Sequence, residues 1–211
     1  MAATRTLHVD HTGVMVDQPP GLPQREIVRE LRRQIGDHER EIAARAVIDP
    51  LLAEIADLPP GAVIALSFAF DGELPIEPTA ERIRADGGST AYPAVAGGSM
   101  EFRRWDGESA LDRGRIGMVE PRRSGSDPVA IDQLSLVVVP LVAFDRRCHR
   151  VGFGRGFYDR AFASPDRPRL IGVAFDCQEL AEWTPQLWDV PLDAVITPTR
   201  TITPTLVRQR S

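Results

Sequence analysis

Three glycines, Gly152, Gly154 and Gly156, alternate with larger residues in the run from Arg150 to Arg160, Arg-Val-Gly-Phe-Gly-Arg-Gly-Phe-Tyr-Asp-Arg. Glycine tolerates positive φ and lets a backbone come close to a ligand, so successive N–H groups in such a run can converge on a phosphate. A helix starting directly afterwards adds its partial positive charge. Arg150, Arg155 and Arg160 supply positive charge, and Asp159 supplies an acid beside it. The GxGxG spacing is neither the dinucleotide-binding GxGxxG nor a kinase loop. Spacing alone therefore leaves two readings: a phosphate cradle, or a tight turn that only packs a strand against a helix. Three arginines and an acid favour the cradle, since a turn that needs only shape has no use for them.

The elements around this run are legible from periodicity. Leu134 to Val142, LSLVVVPLV, is a β-branched run suited to burial on both faces of a sheet, and it delivers the chain to the glycines. A helix is expected from Tyr158 to Phe162, then strands at Leu170 to Ala174 and Ala194 to Ile196. Upstream, Ile27, Val28, Leu31 and Ile35 mark one face of a helix from Gln24, with arginines at 25, 29, 32 and 33 elsewhere and Gly36 as its end. Asp37 reads as the N-cap of a second helix that kinks at Pro50 and stops at Pro59-Pro60-Gly61. The apolar run Ala62 to Phe70, a helix from Pro78 to Ala85 and strands at Ser89 to Tyr92 and Met100 to Trp105 follow, with Gly114 to Arg123 as loop. Strands alternating with helices imply an α/β fold: a single three-layer open sheet, mostly parallel strands, with N-terminal helices. In such sheets ligands gather beyond the carboxyl ends of the strands. One domain is expected over residues 23–211, after a poorly ordered extension over 1–22 whose His8 and His11 read as part of a solvated tail.

Composition removes whole classes of function. With a formal net charge of -5 across 211 residues, a nucleic-acid partner is not expected. All 25 basic residues are arginine, which excludes Schiff-base lysines, pyridoxal-phosphate attachment and the Walker A lysine. Cys148 and Cys177 lie outside any CxxC spacing and read as reduced thiols. Neither a signal peptide nor an apolar run near the roughly 18 residues of a membrane span is visible, so a cytoplasmic protein without a membrane partner is expected.

The stretch Pro140 to Arg160, PLVAFDRRCHRVGFGRGFYDR, resembles the long motif of the 5-formyltetrahydrofolate cyclo-ligases, also called methenyltetrahydrofolate synthetases. The resemblance extends in register to Asp71-Gly72-Glu73-Leu74, Tyr92-Pro93, Glu120-Pro121, Asp176-Cys177-Gln178 and WDVPLDAVITP from Trp188 to Pro198. It implies an ATP-dependent ligase. The formyl oxygen of 5-formyltetrahydrofolate takes the γ-phosphoryl group of ATP, and N10 then closes the ring to 5,10-methenyltetrahydrofolate with release of ADP and phosphate. Chemistry of this kind rests on positioning and charge neutralisation.

The resemblance also implies roles residue by residue. Arg150, Gly152, Phe153, Gly154, Arg155, Gly156 and Tyr158 would surround the ATP phosphates, with Asp159 and Asp189 near Mg²⁺. Arg25 and Arg29 stand in the family's KxxLR pattern, with arginine at 25 where the family has lysine, a change that matters at a tight phosphate site. Glu73, Phe68, Tyr92 and Phe157 fall on the substrate side, against the folate. A monomer or homodimer is expected. A non-catalytic folate- or nucleotide-binding relative, and an isomerase or CoA-transferase of similar topology, remain open alternatives at this stage.

Overall fold

The computed structural model describes residues 7–9, 15–17, 24–114 and 117–204. Within the N-terminal extension, β1 (Leu7–Val9) and β2 (Met15–Asp17) pair antiparallel, so part of that stretch carries regular structure. His11 lies outside the described residues. Three helices follow: α1 (Gln24–Gln34), α2 (Asp37–Ala46) and α3 (Ile48–Ile55). Gly36, with extended backbone, takes the N-cap of α2, and Asp37 is the first helical residue rather than the cap. Pro50 lies in the first turn of α3, where a missing N–H removes no helical bond, and the expected kink is a break between two helices.

The central sheet is built from β3 (Val63–Ala65), β4 (Ser89–Ala96), β5 (Ser99–Arg104) and further strands, with α4 (Glu77–Ala85) crossing from β3 to β4. A side ribbon, β6 (Leu111–Arg113) and β7 (Val119–Pro121), lies partly in the region expected to be loop. Then come β8 (Pro128–Val129), β9 (Leu134–Val139), β10 (Ala143–Asp145) and β11 (Arg150–Val151). The chain closes with α5 (Phe157–Ala161), β12 (Arg169–Val173), β13 (Glu179–Leu180), β14 (Ala194–Ile196) and β15 (Thr201–Ile202).

Eight strands form the main sheet in the order β15-β14-β12-β9-β3-β4-β5-β8. The five central strands, β14 to β4, are parallel, and the outer pairings are antiparallel. Strand order reverses between β3 and β9, and such a switch point opens a crevice beyond the carboxyl ends of the strands. A smaller sheet, β11-β10-β13, sits beside it.

Alternating side chains divide the core between the two faces. Ile64, Leu136, Val138 and Ile171 point to α1–α4, while Val63, Val137, Val139 and Leu170 point to the opposite face with Phe144 and Phe162. That second face is covered by α5 and irregular chain, because the helix in the crossover from β9 to β12 has only five residues. The long run from Leu134 breaks after Val139, ahead of Pro140, and resumes as β10 in the smaller sheet. Burial pushes the thiols of Cys148 and Cys177 up, to about 11 and about 12, so both remain unionised side chains of the interior. Among the described residues no helix is long and apolar enough to cross a membrane.

Candidate active site

The glycine run leaves β11 and enters α5 through two residues at positive φ, Gly154 at 83° and Gly156 at 63°, the latter serving as the N-cap of α5. A side chain at either position would be strained. Gly154 also faces another element: a Cβ built there would lie 3.3 Å from Nη1 of Arg25, so the first helix brings its guanidinium against the turn. Nε of Arg25 is buried without a hydrogen-bond partner. A cavity of about 730 Å³ opens beside the turn, with Gly154, Gly156, Asp159, Arg160, Trp188 and Asp189 among its walls. Arg155 also lines it and is exposed.

Arg150 is buried and donates to Oδ1 of Asp159 from both Nη atoms, at 3.0 and 2.6 Å. The backbone N–H of Val190 donates to the same oxygen at 3.1 Å. Burial pushes the Arg150 guanidinium below its ordinary value, and the facing Asp159 opposes this. Oδ2 of Asp159 has no partner among the described residues. Asp189 accepts from the backbone N–H of Gln186 at 2.9 Å through Oδ2, which makes it a turn cap as well as a cavity wall.

A second cluster joins α1 to the loop after β3. Asp71 sits in the left-handed region at φ 52° and accepts from Arg29 (2.8 Å), Arg32 (3.3 Å) and Arg33 (2.8 Å). Arg32 is fully buried, and it also donates to the backbone oxygens of Asp71, at 2.8 Å, and Leu141, at 3.0 Å. One side chain thereby ties the loop after β3 to the chain just beyond β9, on the two sides of the switch point. Phe153 of the glycine run packs edge-on against Phe70 at 5.8 Å and lies under the guanidinium groups of Arg29 and Arg32, at 5.5 and 5.9 Å. Arg32 and the hub role of Asp71 were not visible as site features in the sequence. The signal was there in Arg29, Arg32 and Arg33 at helical neighbour spacing, an array of like charges that needs a shared acid.

Glu73 lies just beyond this hub, 8% exposed, and accepts from the Phe70 N–H at 3.1 Å. Its Oε1 is buried without a hydrogen-bond partner, 3.9 Å from Nη1 of Arg32. Burial pushes the carboxyl up to about 7, against the opposing pull of Arg32 and the Phe70 N–H. The hydroxyl of Tyr158 is likewise buried and unpartnered; burial raises it, as does the charge of Glu73, and Arg150 lowers it. An acid whose folded-state pKa is raised takes up a proton more readily folded than unfolded. Stability therefore falls as pH climbs from the unfolded value of 4.5 toward 7, and the penalty is complete above that. The shift corresponds to about 3 kcal/mol. Glu73→Gln escapes the penalty, so its urea midpoint should exceed that of the parent at about pH 8 and the two should converge on acidification. Parallel pH profiles would show that Glu73 carries no such burden.

The other substrate-side candidates separate. Phe68 stacks on Tyr92 at 4.3 Å, and Trp105 packs edge-on against both, at 5.0 and 5.2 Å. Tyr92 is 1% exposed and backs Phe68 from within the core, leaving Phe68 the more accessible ring. Phe157 is partly buried at the start of α5, with the Arg160 guanidinium over its ring at 5.4 Å.

A mostly parallel sheet, with arginines and carboxylates drawn to its switch point and to the turn that leaves it, defines the chain as an α/β protein of the open-sheet type. Comparison with known proteins narrows the class. The model of the 5-formyltetrahydrofolate cyclo-ligase family matches residues 23–198, and the chain belongs to that family of ligases. The 5-formyltetrahydrofolate cyclo-ligase of Escherichia coli K12 is 32% identical over 142 residues, covering 65% of this chain and 78% of that one. The counterpart in Haemophilus influenzae is 29% identical over 134 residues, 61% and 72% of the two chains. Among solved structures, the 5,10-methenyltetrahydrofolate synthetase of Aquifex aeolicus superimposes with a TM-score of 0.71 at 26% identity, over 89% of this chain and 93% of that one. The Mycoplasma pneumoniae enzyme of the same name shares the fold at 21% identity, with a TM-score of 0.68 over 82% and 96%.

Proposed function

We propose that this chain converts 5-formyltetrahydrofolate to 5,10-methenyltetrahydrofolate with ATP as phosphoryl donor, releasing ADP and phosphate. The observation that carries the reading is the approach of Arg25 to Gly154, which sets a guanidinium from the first helix against the glycine turn between β11 and α5. In this reading Gly152, Gly154 and Gly156 let the backbone N–H groups face the phosphates, with Arg25 and Arg155 as the direct cations. Arg29 and Arg150, already shared with Asp71 and Asp159, contribute field behind them. Phe153 holds the turn against α1, and Tyr158 closes its helical side.

Magnesium fits the donors present. Mg²⁺ is usually held by one or two carboxylates, with substrate phosphates and water completing the shell. Asp159 and Asp189, both walls of the cavity, would hold it, and it would neutralise charge on the transferring phosphoryl group. The folate falls to Glu73 and Phe68, with Tyr92 behind Phe68 and Phe157 at the rim; the unpartnered Glu73 Oε1 suits a polar edge of the pterin. No enzyme nucleophile is needed, because N10 of the folate closes the ring once the formyl oxygen has become a leaving group.

The test mixes the protein with MgATP and 5-formyltetrahydrofolate and follows methenyl absorbance. Product should form only with all three present, in step with ADP. Binding of both ligands without product would instead indicate a relative that has lost turnover, as the arginine at position 25 would then suggest. Turnover indifferent to ATP would overturn the reading.

A further inference from the structure

The segment Gln186-Leu187-Trp188-Asp189 is a turn closed at both ends. The Asp189 N–H donates to the Gln186 oxygen at 3.1 Å, and the Gln186 N–H donates to Oδ2 of Asp189 at 2.9 Å. Central turn positions ordinarily take glycine, proline, asparagine, aspartate or serine. Here they hold leucine and tryptophan, 104% and 69% exposed, which with Ile42 are the only large hydrophobic side chains exposed among the described residues. Both line the cavity whose other walls include Gly154, Gly156 and Asp159. At about 730 Å³ the cavity is in the range that encloses a small organic ligand.

We propose that Trp188 is the platform on which the purine ring of the nucleotide stacks, with the phosphates at the glycine turn of the same cavity. The proposal rests on the nucleotide reading given above and adds to it the residue that recognises the base. An indole offers a flat π face at the cost of ordering only two side-chain torsions, and the capped turn fixes the backbone that carries it. Asp189 both closes that turn and lines the cavity, so the platform and one of the two carboxylates are carried by the same turn.

Two probes separate base from phosphate: MgADP, and magnesium tripolyphosphate, which carries phosphates and no base. Calorimetric titration of the full chain gives both affinities, and acrylamide quenching reports exposure of the tryptophans. MgADP should shield the parent from acrylamide, and tripolyphosphate should not. Trp188→Ala should raise the Kd for MgADP about 5- to 150-fold, the loss expected from one aromatic–base stack. Its Kd for tripolyphosphate should stay unchanged, and Trp188→Phe should retain most of the MgADP affinity. An unchanged MgADP affinity in Trp188→Ala, or equal weakening toward both probes, overturns the platform. So does a change in sedimenting mass with MgADP binding intact, which would mark Leu187 and Trp188 as a self-association surface. If neither probe binds the parent chain, the nucleotide reading itself fails and takes the platform with it.

Discussion

Asp159→Asn should lower ATP-coupled turnover by on the order of 10²–10³-fold, the scale on which loss of one preorganised electrostatic contact acts. The substitution keeps size and hydrogen-bonding shape. An amide oxygen in place of Oδ1 can still accept from Arg150 and from the Val190 N–H, so the local backbone should hold. Charge is what is lost, in two places. Oδ2 no longer offers an anion to a cation in the cavity, and Arg150, 7% exposed, keeps its charge without the partner that neutralised it. Removing one member of a buried pair costs about 3 to 5 kcal/mol, and the retained hydrogen bonds place this variant toward the lower figure. A urea titration should show a folded chain with a reduced midpoint, and the methenyl assay should show almost no product. Undiminished turnover in a folded variant would remove Asp159 from the metal site.

Asp71→Ala should be the most destabilising single change in the hub, by about 3 to 5 kcal/mol, because the buried Arg32 and the two flanking arginines lose one shared acid. Asp71→Asn separates charge from conformation: asparagine tolerates the left-handed backbone at this position and alanine does so poorly. The asparagine variant should therefore lie between alanine and the parent. Burial pushes the Asp71 carboxyl up, but hydrogen bonds from Arg29 and Arg33 outweigh it and hold the group below the usual 3.8. A depressed acid contributes stability above its unfolded value and loses it as pH falls through the folded one. The gap between parent and alanine variant should accordingly be full near neutrality and narrow below the usual carboxylate range to the backbone cost that alanine keeps at every pH. Chemical denaturation at several pH values checks both the size and the trend.

Periodicity placed the helices and the parallel strands because apolar side chains in this chain follow the faces they bury. Val63, Ile64 and Ala65 alternate between the two halves of the core, as do Val137 and Val138. It failed where partners are distant. Leu66 to Phe70 has the composition of a strand, yet the pairing stops at Ala65 and Phe68 turns to Tyr92 and Trp105. Arg32 is the clearest case. A guanidinium on an amphipathic helix is expected in water, and this one is buried because its donors meet the carbonyl oxygens of Asp71 and Leu141, far away in sequence. The glycine run was legible as a turn from a strand into a helix, and its tie to Arg25 was implied by the family pattern. Trp188, in the wall of the same cavity, carries no mark of its exposure in the sequence, since nothing in a linear pattern tells an exposed indole from a buried one.

Arg32 has a further consequence for how the crevice takes up a ligand. By bonding to the chain on both sides of the switch point, it fixes the spacing of the two walls before anything enters. A cleft formed by independent loops must surrender conformational freedom when its ligand arrives, and that loss is subtracted from affinity. Here the ordering is completed during folding. Amide protons of Gly72 and Val142, in the two peptide groups whose oxygens Arg32 holds, should accordingly exchange at the same rate in the empty protein as in the liganded one, with ligand-dependent protection confined to the turns at Gly154 and Trp188.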